Sequence, residues 1–415
     1  MKLPALEKAK VFGKTVFLRA DLDVPLSENG RQMTDDRTQR TEDRKIEDDT
    51  RLVAGLLTIE YLLKHSAKVV IAGHLGRPKG IDKSLSLQPV AYWLQGHLDP
   101  DLSGERSQWD LSSLSAPRND KNTVKEIKMG EFQGWQLGDN LFLLENLRFY
   151  KGEQDNDSEF TKKLASLADV YVNDAFAVSH RKHASIVGVP KYLPHFVGFR
   201  LQKEVEVLSG VLEQPKRPLV VVIGGAKIET KLPLVEKMRD FADYVLVGGK
   251  IAKDFTVILK VQHEKVKNRK ATLFVADLRE DGFDITPKSI DKFLQIVSLA
   301  KTVVWNGPVG MIRSKVNPST SSGLTLSGAP HRLVQGGVEW IKSQKSKVDT
   351  EEGTRELTKG IVRSKAYTVV GGGDTVGFLR NLGLLDKFSF VSTGGGAMLE
   401  FLSGEKLPGL IALLF

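Results

Sequence analysis

The sequence predicts an α/β protein built on parallel sheets and divided into two domains. Two observations carry that class. Short apolar runs alternate with amphipathic stretches, and 415 residues exceed what one ordinary core holds. A third sharpens it: many of the runs end in Gly, Asp, Asn or His, and the carboxyl edge of an open α/β sheet is where ligands bind.

In chain order the strand-like runs are "TVFLRA", "KVVIAGH", "LFLLENL", "DVYVNDAF", "PLVVVIGG", "YVLVGG", "ATLFVAD", "TVVWNG", "YTVVGGG" and "FSFVSTGGG". Strand ends before residue 185 carry Asp, His, Asn and Arg, whereas those after residue 218 carry glycines. Between the two groups lies "GFRLQKEVEVLSGVLEQPKRP". Its Leu201, Val205, Leu208 and Leu212 share one helical face, and Pro215 and Pro218 end the helix. This segment is expected to join two domains; a crossover helix inside one large sheet is the alternative. The expected division is residues 1–193, a linker helix and hinge over 194–217, and a second domain over 218–402. Residues 31–48, 96–128 and 314–350 read as insertions, being mixed-charge or rich in Ser, Asp and Pro. No internal repeat of fixed period is present.

A composition 41% hydrophobic and 27% charged is that of a soluble globular protein. With no cysteine, disulfides, thiolate metal sites and cysteine nucleophiles are excluded, and a reducing cytoplasm is the expected setting. "MKLPALEKAK" has no apolar stretch of the kind a signal peptide needs, and no run approaches the ~20 apolar residues of a membrane helix. The closing "GLIALLF" is expected to dock on a core. A net charge of +9 fits a solvated basic surface, a nucleic-acid footprint or a cleft for small anions. No alternation of aromatic and basic residues favours nucleic acid, so no such partner is expected.

Taken singly, the motifs that resemble known phosphate or metal sites fail. "GKT" at 13–15 precedes a strand and lacks the earlier glycine of a P-loop, where Lys8 stands. "GGGDTVG" and "GGGAMLE" miss the last glycine of G-x-G-x-x-G, which disfavours hydride transfer on a dinucleotide. "HLGRPKGIDKSLS" has no zinc-ligand spacing. What remains is a set of five glycine turns after second-half strands: "VIGGAKIETK", "VLVGGK", "WNGPVG", "VVGGGDT" and "STGGG". With Lys227 and Lys231 beside the first, they suit a polyphosphate cradle, the two lysines sharing one face if "AKIETK" is helical. In the first half Arg51, Arg77, Arg148 and Arg181 follow loop signals beside Asp21, His74 and Asn173, and converging arginines grip phosphate and carboxylate. Asp374 stands where a phosphate would sit, which as an isolated charge makes little sense.

Taken in order these motifs resemble the phosphoglycerate kinase family over nearly the whole chain. The residues that carry the likeness are "RADLDVP" (19–25), "DDTRL" (48–52), "HLGRP" (74–78), "LLENLRFY" (143–150) and "NDAF" with "HRKHAS" (173–185), followed by "GGAK", "VVWNGPVG", "GGGDT" and "STGGGAMLEFLSGEKLPG". The resemblance implies two Rossmann-like lobes separated by a cleft, with residues 403–415 returning to the first. It implies a cytoplasmic, monomeric enzyme moving a phosphoryl group between 1,3-bisphosphoglycerate and ADP, giving 3-phosphoglycerate and ATP with Mg2+. By motif, Asp21 and Asp23 would bind the glycerate end, His74, Arg77, Arg148 and Arg181 would hold its 3-phosphate, and Leu75 and Gly76 would also bind substrate. Arg51 and Lys227 would stabilise the transferring group. Gly225, Lys231, Gly248, Asn306, Pro308, Gly310, Arg313, Gly372, Gly373 and Thr375 would hold nucleotide. Gly394, Gly395 and Gly396 would open a helix aimed at the transition state. Asp374 would hold the metal, so its charge faces a cation rather than a bare phosphate.

In the ATP-consuming direction the nucleophile is a carboxylate, so no general base is needed and catalysis reduces to positioning and charge neutralisation. Domain closure about residues 190–218 is expected to bring Arg51 and Lys227 together and exclude water. The sequence also departs from the family. Asp23 replaces a usual Asn, and Arg313 replaces a glutamate that would accept from the ribose. Phe390, Ala177, Thr230 and Thr286 replace His, Gly, Asp and Gly. A catalytically impaired nucleotide-binding relative with a regulatory or scaffold role is the alternative reading.

Overall fold

The structure, a computed structural model, describes residues 2–27, 44–65, 67–98, 124–261, 270–312 and 349–414. The insertion expected over 314–350 lies outside these residues apart from its last two positions, and so does Arg313. The chain divides into two compact units, Met1–Gln214 with Ser392–Phe415, and Pro215–Val391.

Among the described residues the first unit carries seven strands: β1 (Thr15–Arg19), β2 (Lys68–Ala72), β3 (Lys125–Met129), β4 (Phe132–Gly138), β5 (Leu141–Leu144), β6 (Val170–Asn173) and β7 (His195–Val197). Their spatial order is β3-β4-β5-β2-β1-β6-β7. From β5 to β7 every pairing is parallel, while β3–β4 and β4–β5 are antiparallel. β1 and β2 are buried along almost their whole length, as a strand covered on both faces must be. The helix Thr50–Lys64 turns Leu52, Leu56, Ile59 and Leu62 onto this core, a 3.6-residue stripe.

Two segments fall differently from the expected boundaries. The helix Phe199–Glu213 belongs to the first unit. Its first amides donate to Thr58 Oγ1 (Phe199, 3.0 Å) and Asp174 Oδ1 (Leu201, 3.0 Å), and Phe199 packs edge-on against Tyr61. Residues 392–402, expected in the second domain, also join the first unit. Glu204 is fully buried and accepts from Ser392 Oγ and the Thr393 amide, each at 2.8 Å, while Phe401 packs on Phe176. Within the same unit the terminal helix Pro408–Ile411 is held by the Gly409 amide, which donates to the Ser179 carbonyl at 2.8 Å.

The described residues of the second unit form a six-stranded, wholly parallel sheet of β8 (Leu219–Ile223), β9 (Tyr244–Val247), β10 (Thr272–Val275), β11 (Thr302–Asn306), β12 (Tyr367–Gly371) and β13 (Phe390–Val391). The order β10-β9-β8-β11-β12-β13 places the direction reversal between β8 and β11. β8 buries all five of its side chains, each contributing roughly 1.5–3 kcal/mol relative to exposure. Thr286 caps the helix Pro287–Leu299 by accepting from the Ser289 amide, which accounts for a threonine at that position. Among the described residues no helix is long and apolar enough to cross a membrane.

Candidate active site

β1 lies between β2 and β6, so the carboxyl edge of the first sheet opens where connections leave in opposite directions. Three strand ends deliver polar groups there: Arg19 to Asp23 after β1, His74 to Arg77 after β2, and Asn173 with Asp174 after β6. Arg51, in the first turn of the helix Thr50–Lys64, reaches the same edge. Its Nη1 donates to the Asp23 carbonyl at 2.9 Å and lies 3.3 Å from Asp21 Oδ1 and 3.8 Å from Asp23 Oδ2. Burial pushes the Asp21 carboxyl above its usual pKa against the pull of Arg51, and Asp21 raises Arg51 in turn.

Asp23 is well answered. Its Oδ1 accepts from the Gly76 amide at 2.8 Å, and its Oδ2 lies 3.7 Å from His74 Nε2. A carboxylate is therefore tolerated where an amide is usual, because an N–H, a guanidinium and an imidazole surround it.

The His74–Arg77 loop is pinned from β5. Asn146 donates through Nδ2 to the Leu75 and Leu85 carbonyls, both at 2.8 Å, and Glu145 accepts from the Leu87 and Asn146 amides. Arg148 Nη1 donates to the Gly76 carbonyl at 2.6 Å. Burial lowers the Arg148 pKa to about 10, which leaves it charged at neutral pH. Arg77 is exposed and Arg181 half-buried, and with Arg148 their charges bear on His180. Burial and these arginines hold His180 near a pKa of about 4, while burial with Arg148, Arg19 and Arg181 holds His183 near about 3. Gly394, Gly395 and Gly396 also stand in this unit. The Gly394 amide donates to Ser392 Oγ, and Gly396 opens the helix Gly396–Leu402 beside His180.

Sequence reasoning did not single out Arg19, Asn146, Glu145, Glu153 or Ser185 as site residues. For Arg19 a signal existed: it is the last residue of β1 and opens "RADLDVP", yet a full charge at the end of a buried strand has no partner visible in one dimension.

The second unit gathers its glycines at the β8–β11 reversal. The Gly224 amide donates to the Asn306 carbonyl and the Gly225 amide to the Pro308 carbonyl. A Cβ on Gly224 would fall 2.2 Å from the Pro308 carbonyl oxygen, and one on Gly307 2.2 Å from that of Gly224. Two backbones meet here with no room for side chains. Trp305 is wholly buried and donates from Nε1 to the Gly307 carbonyl at 2.8 Å, fixing that turn. Gly248 packs against Val309, and the Gly310 amide donates to Thr354 Oγ1 at 3.1 Å.

The lysines separate. Lys227 is the N-cap, in extended conformation and exposed, and the helix Ile228–Phe241 begins after it, so the two lysines do not share a helical face. Lys231 is half-buried and donates to Asn306 Oδ1. Burial lowers its pKa to about 8, Asp374 opposing. Gly372, at φ +93°, lies against Asn306 and leads into the helix Gly373–Asn381. Asp374 is exposed in the first turn, and Thr375 is fully buried with Oγ1 lacking a hydrogen-bond partner. An unpartnered hydroxyl beside free helix amides is the chemistry that receives an anion. One exposed carboxylate at the same turn fits Mg2+ arriving on a phosphate, which takes few protein ligands. Among the described residues no group of three or more His, Asp or Glu is placed to hold a metal alone.

The family profile described as phosphoglycerate kinase matches residues 6–278, 260–327 and 346–405. The chain belongs to the phosphoglycerate kinase family. The phosphoglycerate kinase of Leptospira biflexa is 34% identical, with all of this chain and 99% of that one covered. The cytosolic phosphoglycerate kinase of Triticum aestivum is 35% identical over 98% of this chain and 97% of its own. The phosphoglycerate kinase structure from Coxiella burnetii superposes with a TM-score of 0.66 at 30% identity, covering 100% of this chain and 99% of that one. The one from Pyrococcus horikoshii gives 0.68 at 27% identity, covering 99% and 98%. Two departures from the phosphoglycerate kinase pattern are accommodated plainly: Phe390 and Ala177 are buried. A third, Thr230, donates its hydroxyl to the Lys227 carbonyl at 3.0 Å.

Proposed function

We propose that the protein transfers a phosphoryl group reversibly between 1,3-bisphosphoglycerate and ADP, giving 3-phosphoglycerate and ATP. The family match over nearly the whole chain carries this reading. Its support is that Arg51, Lys227 and Asp374, the residues assigned to the transferring group and its counter-ion, stand at the carboxyl edges of their sheets.

The first unit's edge suits phosphoglycerate. Asp21 and Asp23 would face the glycerate hydroxyl end, and His74, Arg77, Arg148 and Arg181 its phosphate. The second unit's glycine turns, Lys231 and the Gly372–Thr375 turn suit nucleotide phosphates. Asp374 would hold the Mg2+ that reduces charge on the phosphate oxygens. Arg51 and Lys227 would neutralise the equatorial oxygens as the phosphoryl passes, with no proton to remove. They belong to different units, so joint action is proposed to need movement between the units during turnover, about the two places where the chain passes from one to the other, Gln214–Pro215 and Val391–Ser392. A monomeric, cytoplasmic enzyme completes the proposal.

A coupled assay of ATP formation from 1,3-bisphosphoglycerate and ADP tests it. Turnover dependent on Mg2+ is expected. Tight ADP binding without turnover would overturn it.

A further inference from the structure

Behind His74 sits the guanidinium of Arg19, which the transfer scheme does not use. Both side chains are buried, and Arg19 Nη2 lies 3.0 Å from His74 Nδ1. A guanidinium offers donors only, so Nδ1 is the acceptor and carries no proton. The ring hydrogen is thereby placed on Nε2, which faces the Asp23 carboxylate.

Arg19 is fixed on its other edges. Its Nε donates to Ser185 Oγ at 2.9 Å, and Nη1 donates to the Ala20 carbonyl. Ser185 Oγ donates to Glu153 Oε1 at 2.6 Å, and the Ser185 amide to Glu153 Oε2 at 2.9 Å. A fully buried carboxylate thus answers the buried cation through one hydroxyl, and the cation cannot swing away from the ring. The charged and titratable groups bearing on His74 are Arg19, Arg51, Arg148 and His183, with Asp23 beyond Nε2. Burial is the largest influence against a charge on this ring, and protonating it would also set a fourth cation among three arginines. Burial and these charges together hold its pKa well below the usual value.

We propose that Arg19 is a positioning residue that locks His74 as the neutral Nε2–H tautomer, so that the ring keeps one fixed N–H donor toward Asp23 and the substrate position that Asp23 borders. The inference rests on reading this edge as the phosphoglycerate site.

Long-range 1H–15N correlation on the full chain, labelled at histidine, tests it, His74 being assigned by its loss in His74→Asn. From about pH 5.5 to about pH 8 His74 Nδ1 is expected at the frequency of an unprotonated ring nitrogen. An Nδ1–H tautomer, or titration to imidazolium in that window, overturns the proposal. Arg19→Met should free Nδ1, so that His74 titrates nearer 6.5 and the KM for 3-phosphoglycerate rises roughly tenfold with a new pH dependence. A variant KM within about twofold of the parent, with the tautomer unchanged, also overturns it. If Arg19→Met does not fold, the parent spectrum decides alone. The tautomer is read without turnover, so a correct spectrum from a protein inactive in the ATP assay would count against the phosphoglycerate reading and not against this one.

Discussion

Asp174→Asn is expected to make the first unit more stable at neutral pH while leaving it nearly unchanged in acid. Asp174 is 3% exposed at the end of β6. Its Oδ1 accepts from the Leu201 amide, and its Oδ2 has no hydrogen-bond partner. Burial is the largest influence and raises the carboxyl from 3.8 to about 7, against the Thr58 hydroxyl and the Leu201 and Arg200 amides. At about 1.36 kcal/mol per pH unit that difference corresponds to roughly 4 kcal/mol. The folded state holds the proton more tightly than the unfolded chain. This stabilising contribution is therefore complete below 3.8 and is lost as pH rises through about 7. Asn keeps the Oδ1 acceptor and the shape, and has no proton to lose. The stability of the variant relative to the parent should thus climb between about pH 4 and about pH 7.5 and then level, by up to roughly 4 kcal/mol. Because the two units need not unfold together, amide exchange in peptides from β6 and the helix Phe199–Glu213 is the appropriate measurement. A stability difference independent of pH across that range would refute the description of Asp174 as a buried acid.

Other outcomes follow from the same geometry. Arg51→Ala should lower kcat by about 10²–10³ while ADP affinity, read by calorimetry, stays within a few-fold; an unchanged kcat would remove Arg51 from the transfer step. With Lys231 near a pKa of about 8, ADP binding should weaken as pH rises through that value, and Lys231→Arg should flatten the dependence in the same titration. Gly224→Ala forces a Cβ within 2.2 Å of a backbone oxygen, so loss of the folded second unit is expected in circular dichroism, and a stable variant would show that the β8–β11 approach is looser than described.

The alternation of buried runs and amphipathic stretches made ten of the thirteen strands among the described residues legible, since a strand covered on both faces must be continuously apolar. The others escaped for reasons of the same kind. β3 and β4 form an antiparallel edge hairpin whose exposed positions are polar, as in "KEIKM", so half of each strand resembles an insertion. β7 spans three residues, too few for a period. At the site, residue types and order singled out Asp21, Arg51, His74, Lys231 and Asp374 as candidates, because glycine turns and clustered cations are chemically unusual wherever they stand.

What the chain alone determined is its class of fold and its chemistry: an apolar period sets strands, and arginines, lysines and glycines after them imply phosphate. Tertiary structure alone decided that Glu204 draws residues 392–402 into the first unit, that Lys227 ends as a cap outside its helix, and that Arg19 meets His74. Each depends on a contact between residues far apart in sequence, and the free energy of a buried charge is fixed by partners that only the folded chain assembles.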